Sequence, residues 1–177
     1  MSMYARLFGI AAVVLGFGLS EALAAGDVLK GAWKLEMPPP RDTPFLTFYD
    51  AKGKTVWRFG CGVHYEMSAV YPGSAAKQDD TPASITIANG STQMDFAGFL
   101  YLLDGPGAED WPPHTTMFNQ GDLGQRELEG DKWSALEDRF LEFLDSGRPL
   151  TISAEGKSYT LPPINVPRWR ARFRKIC

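Results

Sequence analysis

The chain is poor in the residues that carry covalent and redox chemistry. Cysteine occurs only at Cys61 and Cys177, and histidine only at His64 and His114. No C-x-x-C pair is present, so a thiol-redox motif is missing. The G-x-S-x-G elbow of a serine hydrolase, a phosphate-cradling glycine loop and a dinucleotide fingerprint are absent as well. Positive charge is not in excess: 18 Lys and Arg against 21 Asp and Glu leave a net charge of −3. A general nucleic-acid binder needs a strongly basic domain, and this chain lacks one. It also lacks an apolar run of the roughly 20 residues that cross a bilayer as a helix.

What apolar run there is lies at the start. In "MSMYARLFGIAAVVLGFGLSEALAAGD" a single basic residue, Arg6, precedes an apolar stretch from Leu7 to about Leu19. The small-residue pattern Ala22-Leu23-Ala24 follows, the form of a signal peptide over residues 1–24 cut before Ala25. The expected mature product, residues 25–177, is one soluble periplasmic or secreted domain, with no stable membrane insertion after cleavage. Cleavage takes away Arg6 and Glu21, so the net charge is unchanged. About 150 residues bury a core unaided, and 12% aromatics with 13 prolines point away from a helical bundle.

In an exported chain a minimal pair of cysteines reads as one disulfide, Cys61–Cys177. It would close a loop of over a hundred residues and stabilise the fold by up to about 4.7 kcal/mol in the chain-entropy picture. The alternative use of the same residues is a zinc site of Cys61, His64, His114 and Cys177. Residues three apart on a strand point to opposite faces, so Cys61 and His64 share a metal only across a bulge. The disulfide is the better reading, and neither a metal nor another cofactor is expected.

Along the chain the short-range signals are mostly those of strands. Residues 31–37 alternate and end at Pro38-Pro39-Pro40. Residues 44–50 and 55–67 read as a hairpin around "AKGK", with the second arm running on towards Tyr71. Asn89-Gly90, between Ile85/Ile87 and Met94/Phe96, predicts a type I′ hairpin. Residues 149–162 read as another hairpin. Residues 104–116 form a Gly/Pro-rich loop around Trp111, and residues 117–129 show no clear period.

From Asp131 the period becomes helical, with Trp133, Leu136, Phe140, Phe143 and Leu144 on one side and Gly147 beyond the end. The tail "VPRWRARFRKIC" fits a helix with Trp169, Phe173, Ile176 and Cys177 on one face. It also fits a strand with Arg168, Arg170, Arg172 and Arg174 on one side; the helix is preferred because it brings Cys177 to the buried side. The expected fold is mainly β, of the α+β kind: a small antiparallel β-sandwich or barrel with one inserted helix and a short C-terminal helix.

Catalysis has weak support. Asp79-Asp80 and Glu109-Asp110 are adjacent acids in loops, a spacing that does not fix the separation glycoside hydrolysis requires. The sequon Asn89-Gly90-Ser91 is accounted for by the turn. Binding features are clearer. Trp111, flanked by Asp110 and Pro112-Pro113, is either an exposed stacking or partner-anchoring ring or a lid folded onto the core. Arg168, Arg170, Arg172, Arg174 and Lys175 either face an anionic partner or form a solvated surface. Gly31-Ala32-Trp33 resembles the G-x-W of lipocalin-like barrels, which implies, as an alternative, a carrier of a small apolar ligand. The reading as a whole is an exported bacterial, non-enzymatic binding domain whose partner is an envelope protein, a glycan or a small ligand. Its candidate contacts are Trp111 and the tail arginines, and an envelope hydrolase or metal enzyme is the lesser alternative.

Overall fold

Strand alternation and tight turns organise most of this chain. A computed structural model describes residues 27–37, 44–61, 65–104, 108–120 and 131–176. Nine strands are present in them: β1 (Gly31–Glu36), β2 (Phe45–Asp50), β3 (Thr55–Cys61), β4 (Tyr65–Val70), β5 (Thr81–Asn89), β6 (Thr92–Leu102), β7 (Thr116–Asn119), β8 (Leu150–Ala154) and β9 (Lys157–Leu161). The helices are α1 (Asp131–Leu144) and α2 (Trp169–Ile176), with a 3₁₀ turn at Ala108–Asp110. The strands form one sheet in the order β1-β2-β3-β4-β7-β6-β5-β8-β9, every neighbouring pair antiparallel.

Of the two β architectures expected, the curled single sheet is the one formed, and not the two-layer sandwich. In a nine-strand antiparallel order the first and last strands run the same way. Consistent with that, Val28 forms a parallel bridge to Thr160, and the Leu29 amide donates to the Thr160 carbonyl at 2.8 Å. Trp33 Nε1 also donates to the Pro162 carbonyl at 2.9 Å. These contacts draw the two edges of the sheet together. Gly31, one element of the G-x-W triplet, sits where a Cβ would collide with the Tyr49 carbonyl and the Phe48 ring.

The turns explain why these residues pair as they do. Between β5 and β6 the two-residue loop is Gly90-Ser91, since Asn89 still pairs with Thr92. Only Gly90 has positive φ, 74°, so the turn has the type II′ pattern instead of the type I′ turn expected at Asn89-Gly90. Asn89 is free to do something else: it is buried, and its Nδ2 donates to the Phe143 carbonyl at the end of α1 at 2.7 Å. The type I′ pattern appears instead between β8 and β9, where Glu155 (φ 51°) and Gly156 (φ 73°) are both left-handed.

Two expectations are corrected. The arm expected from Thr55 to Met67 is two antiparallel strands, with Cys61 opposite Tyr65. The stretch without a period contains the end of β7, whose Thr116–Asn119 ladder joins β4 to β6 in the middle of the sheet. The tail is a helix, as preferred.

The core lies on one face of the sheet. Trp57 and Phe59 of β3, Tyr65 and Met67 of β4, Ile85 and Ile87 of β5, and Phe118 of β7 all point into it. Helices α1 and α2 close that face. Phe140 meets Phe59 and Phe96 edge-on at 5.2 and 5.3 Å, and Phe173 stacks on Phe59 at 5.1 Å. Such aromatic pairs add to the area burial that drives the packing. No helix among the described residues is long and apolar enough to cross a membrane.

Candidate functional site

Helix α2 is short and strongly basic, and its placement is set by two rings. Trp169 and Phe173, one helical turn apart, are 2% and 0% exposed and meet edge-on at 5.9 Å. Phe173 also reaches Tyr65 at 6.2 Å. Trp169 Nε1 donates to Asp145 Oδ1 at 3.1 Å, just beyond the end of α1. The chain enters the helix through Arg168, which is exposed and held at φ 56°. That left-handed conformation is uncommon for a residue with a Cβ.

On the other side of α2 the arginines divide into two groups. Arg170 pairs with Glu142 at 3.1 Å and lies 3.8 Å from Asp145, while Arg174 pairs with Asp138. These pairs are at the surface and individually contribute little, about 0–1 kcal/mol. Their effect is to register α2 against α1, because Asp138, Glu142 and Asp145 recur at helical spacing opposite arginines one turn apart. Among the described residues, Arg168, Arg172 and Lys175 are exposed and form no ion pair.

An open cleft of about 400 Å³ lies at this end of the molecule. Arg168, Arg170 and Arg174 give it three guanidinium groups, Asp145 one carboxylate, and Ile164 and Val166 an apolar wall. Arg172 does not line it. The sequence pattern of alternating arginines therefore resolves into three that share a cleft and one that does not. Arg170 Nε is buried and has no hydrogen-bond partner among the described residues. Among the described residues, two of the three guanidinium groups are matched by carboxylates, which leaves Arg168 as the one whose planar donors suit a carboxylate or phosphate.

Trp111 is corrected as an exposed contact. It is 6% exposed. Lys54 Nζ donates to the Glu109 carbonyl, and Asp110 shares a second open cleft with Glu36, Met37, Phe45 and Arg58. The Trp111 ring is buried but is not part of the core cluster.

Of the remaining Cys and His candidates, Cys61 and His114 fall among the described residues. Cys61 closes β3, whereas Cys177 and His64 lie outside the described residues, as does the signal segment. His114 sits in the turn before β7 with φ 61°. Among the described residues no group of three His, Cys, Asp or Glu side chains is placed to hold a metal. The acidic pair Asp79-Asp80 has structural partners. Asp79 Oδ1 accepts from the Leu102 amide, and Asp80 bonds Tyr101, pushing that phenol's pKa up.

Sequence reasoning missed two parts of the site. The acidic face of α1 was legible as Asp138, Glu142 and Asp145 at i, i+4 and i+7. The Ile164/Val166 wall carried no signal, since two apolar residues in a Pro-rich stretch have no period. No family model, curated protein or solved structure matches the chain.

Proposed function

We propose that the chain is an exported, periplasmic or secreted, non-enzymatic binding domain, stapled by Cys61–Cys177, that holds an anionic group of an envelope partner in the cleft beside α2. The observation that carries this reading is the division of labour among the arginines. Arg170 and Arg174 are tied to carboxylates of α1, whereas Arg168 lines the same cleft with no ion pair among the described residues. With Arg170 facing Glu142 and Asp145, and Arg174 facing Asp138, Arg168 is the guanidinium of the cleft left for a ligand among the described residues.

The staple is supported by where the elements lie. Phe173 of α2 stacks on Phe59, two residues before Cys61, and touches Tyr65, the register partner of Cys61. The helix that precedes Cys177 thus packs on the strand pair that contains Cys61. Binding at the surface is favoured over carriage inside the sheet, because rings of Phe140, Phe143, Trp169 and Phe173 occupy the core face.

The test is expression of residues 1–177 with export to a bacterial periplasm, followed by intact mass and capture of envelope components. The expected mass is that of a chain starting at Ala25 and lacking two hydrogens. Wild-type protein is expected to retain an envelope component that Arg168→Glu loses. Equal capture by both proteins would overturn the cleft as the working surface, and two free thiols would overturn the staple.

A further inference from the structure

Resting on the binding reading above, we infer that the cleft beside α2 takes a small amphiphilic anion: a carboxylate carried on a short alkyl stem. Two features of the cleft call for the two halves of such a ligand. The basic half is Arg168, with Arg170 and Arg174 beside it; the apolar half is Ile164 and Val166, both partly buried against the core. A hydrophilic ion such as inorganic phosphate uses only the first half. A volume of about 400 Å³ falls in the range of small-molecule sites, roughly 300–1,000 Å³, and is too small to seat a folded partner.

Charge in the wall selects one negative charge over several. Asp145 is fixed in the wall by Trp169 Nε1 and Arg170. It repels the outer charges of a polyanion while leaving the guanidinium of Arg168 accessible. Arg168 is the specificity residue because, among the described residues, it is the arginine of the cleft with no ion pair; its backbone is held at φ 56°. Maintaining a non-glycine residue there costs of order 1 kcal/mol or more.

That strain supplies a clean variant. In Arg168→Gly the guanidinium is removed while the left-handed backbone becomes unstrained, so the fold is kept. Ala171→Glu, at an exposed position lining the cleft, adds a repelling charge without touching the core. The probes are octanoate, acetate and inorganic phosphate, each titrated into the mature protein while the amides of Arg168 and Ala171 and the Trp169 indole N–H are followed by NMR.

Octanoate is expected to shift the Ala171 and Trp169 signals, and to bind at least about tenfold more tightly than acetate, since each buried methylene adds to the affinity. Arg168→Gly and Ala171→Glu are each expected to weaken octanoate by about fivefold or more, with the Tm of Arg168→Gly unchanged or raised. Equal affinity for acetate and octanoate, or tighter binding of phosphate than of octanoate, would overturn the amphiphile and leave a simple anion cleft standing. Octanoate shifts that map away from α2, or no shifts at all, would also overturn it. The binding reading itself falls only if capture of envelope components is indifferent to Arg168→Glu.

Discussion

Glu155 carries more of the fold than its place in a hairpin turn suggests. Its backbone is left-handed, where asparagine or glycine is the usual choice. Its carboxylate accepts from the Ser74 amide at 2.9 Å and the Tyr71 hydroxyl at 3.1 Å. Those bonds, to Ser74 first and Tyr71 after it, hold its pKa below the ordinary carboxylate value of 4.5. A carboxylate whose folded pKa is depressed contributes stability above its unfolded pKa and loses it as pH falls through the folded value. Glu155→Asn keeps the turn and removes both bonds. Thermal unfolding from pH 7 down to pH 3 is therefore expected to show a steeper loss below about 4.5 in the wild type than in the variant; parallel curves would refute the latch. The hairpin itself was legible from "AEGK", because glycine after a polar residue between alternating runs marks a turn. The latch was not, because its partners are 81 and 84 residues away, and nothing local encodes them.

At the scale of elements, α2 is held by rings far more than by charges. Phe173 is fully buried among Phe59, Tyr65 and Trp169, so Phe173→Ala is expected to cost about 3–5 kcal/mol. Arg174→Ala breaks an exposed pair with Asp138 and is expected to cost less than about 1 kcal/mol. Urea unfolding of both variants checks the ordering, and comparable losses would mean that the ion pairs dock the helix. This burial explains why the tail was legible as a helix: Trp169 and Phe173 repeat at helical spacing. The split of β3 from β4 was not legible, for a geometric reason. Trp57 and Phe59 face the core on one strand and Tyr65, Met67 and Ala69 on the next, all at odd positions. The intervening connection preserves the parity, so one long strand and two short ones give the same pattern. β7 escaped because four residues with Thr116 and Phe118 inward are too few to show a period beside a Gly/Pro-rich loop.

Across the whole molecule, tyrosines tie distant parts of the curled sheet together as neutral phenols. Tyr159 of β9 donates its hydroxyl to the Val70 carbonyl at the end of β4, at 2.9 Å, and burial pushes its pKa well above the ordinary 10.0. Tyr65 and Tyr71 are raised chiefly by desolvation too, Tyr71 also by its bond to Glu155. Burial first, then the bond to Glu36, raises Tyr49. When the folded pKa exceeds the unfolded one, the unfolded chain loses its protons first as pH rises. The stabilisation is then complete below the unfolded value and is lost as pH climbs from there towards the folded value. Stability is accordingly expected to be insensitive to these groups below pH 10 and to fall steeply above it. Tyr159→Phe separates the closing contact from the general effect. Near pH 7 the variant loses one hydrogen bond, a cost of about 1 kcal/mol. Above pH 10 it has no phenol to ionise at that position, so its stability declines less steeply and the two curves converge. Urea midpoints measured from pH 7 to 11 decide the matter: convergence places the alkaline sensitivity on the Tyr159 contact that spans the sheet, and a constant gap assigns it to the other tyrosines.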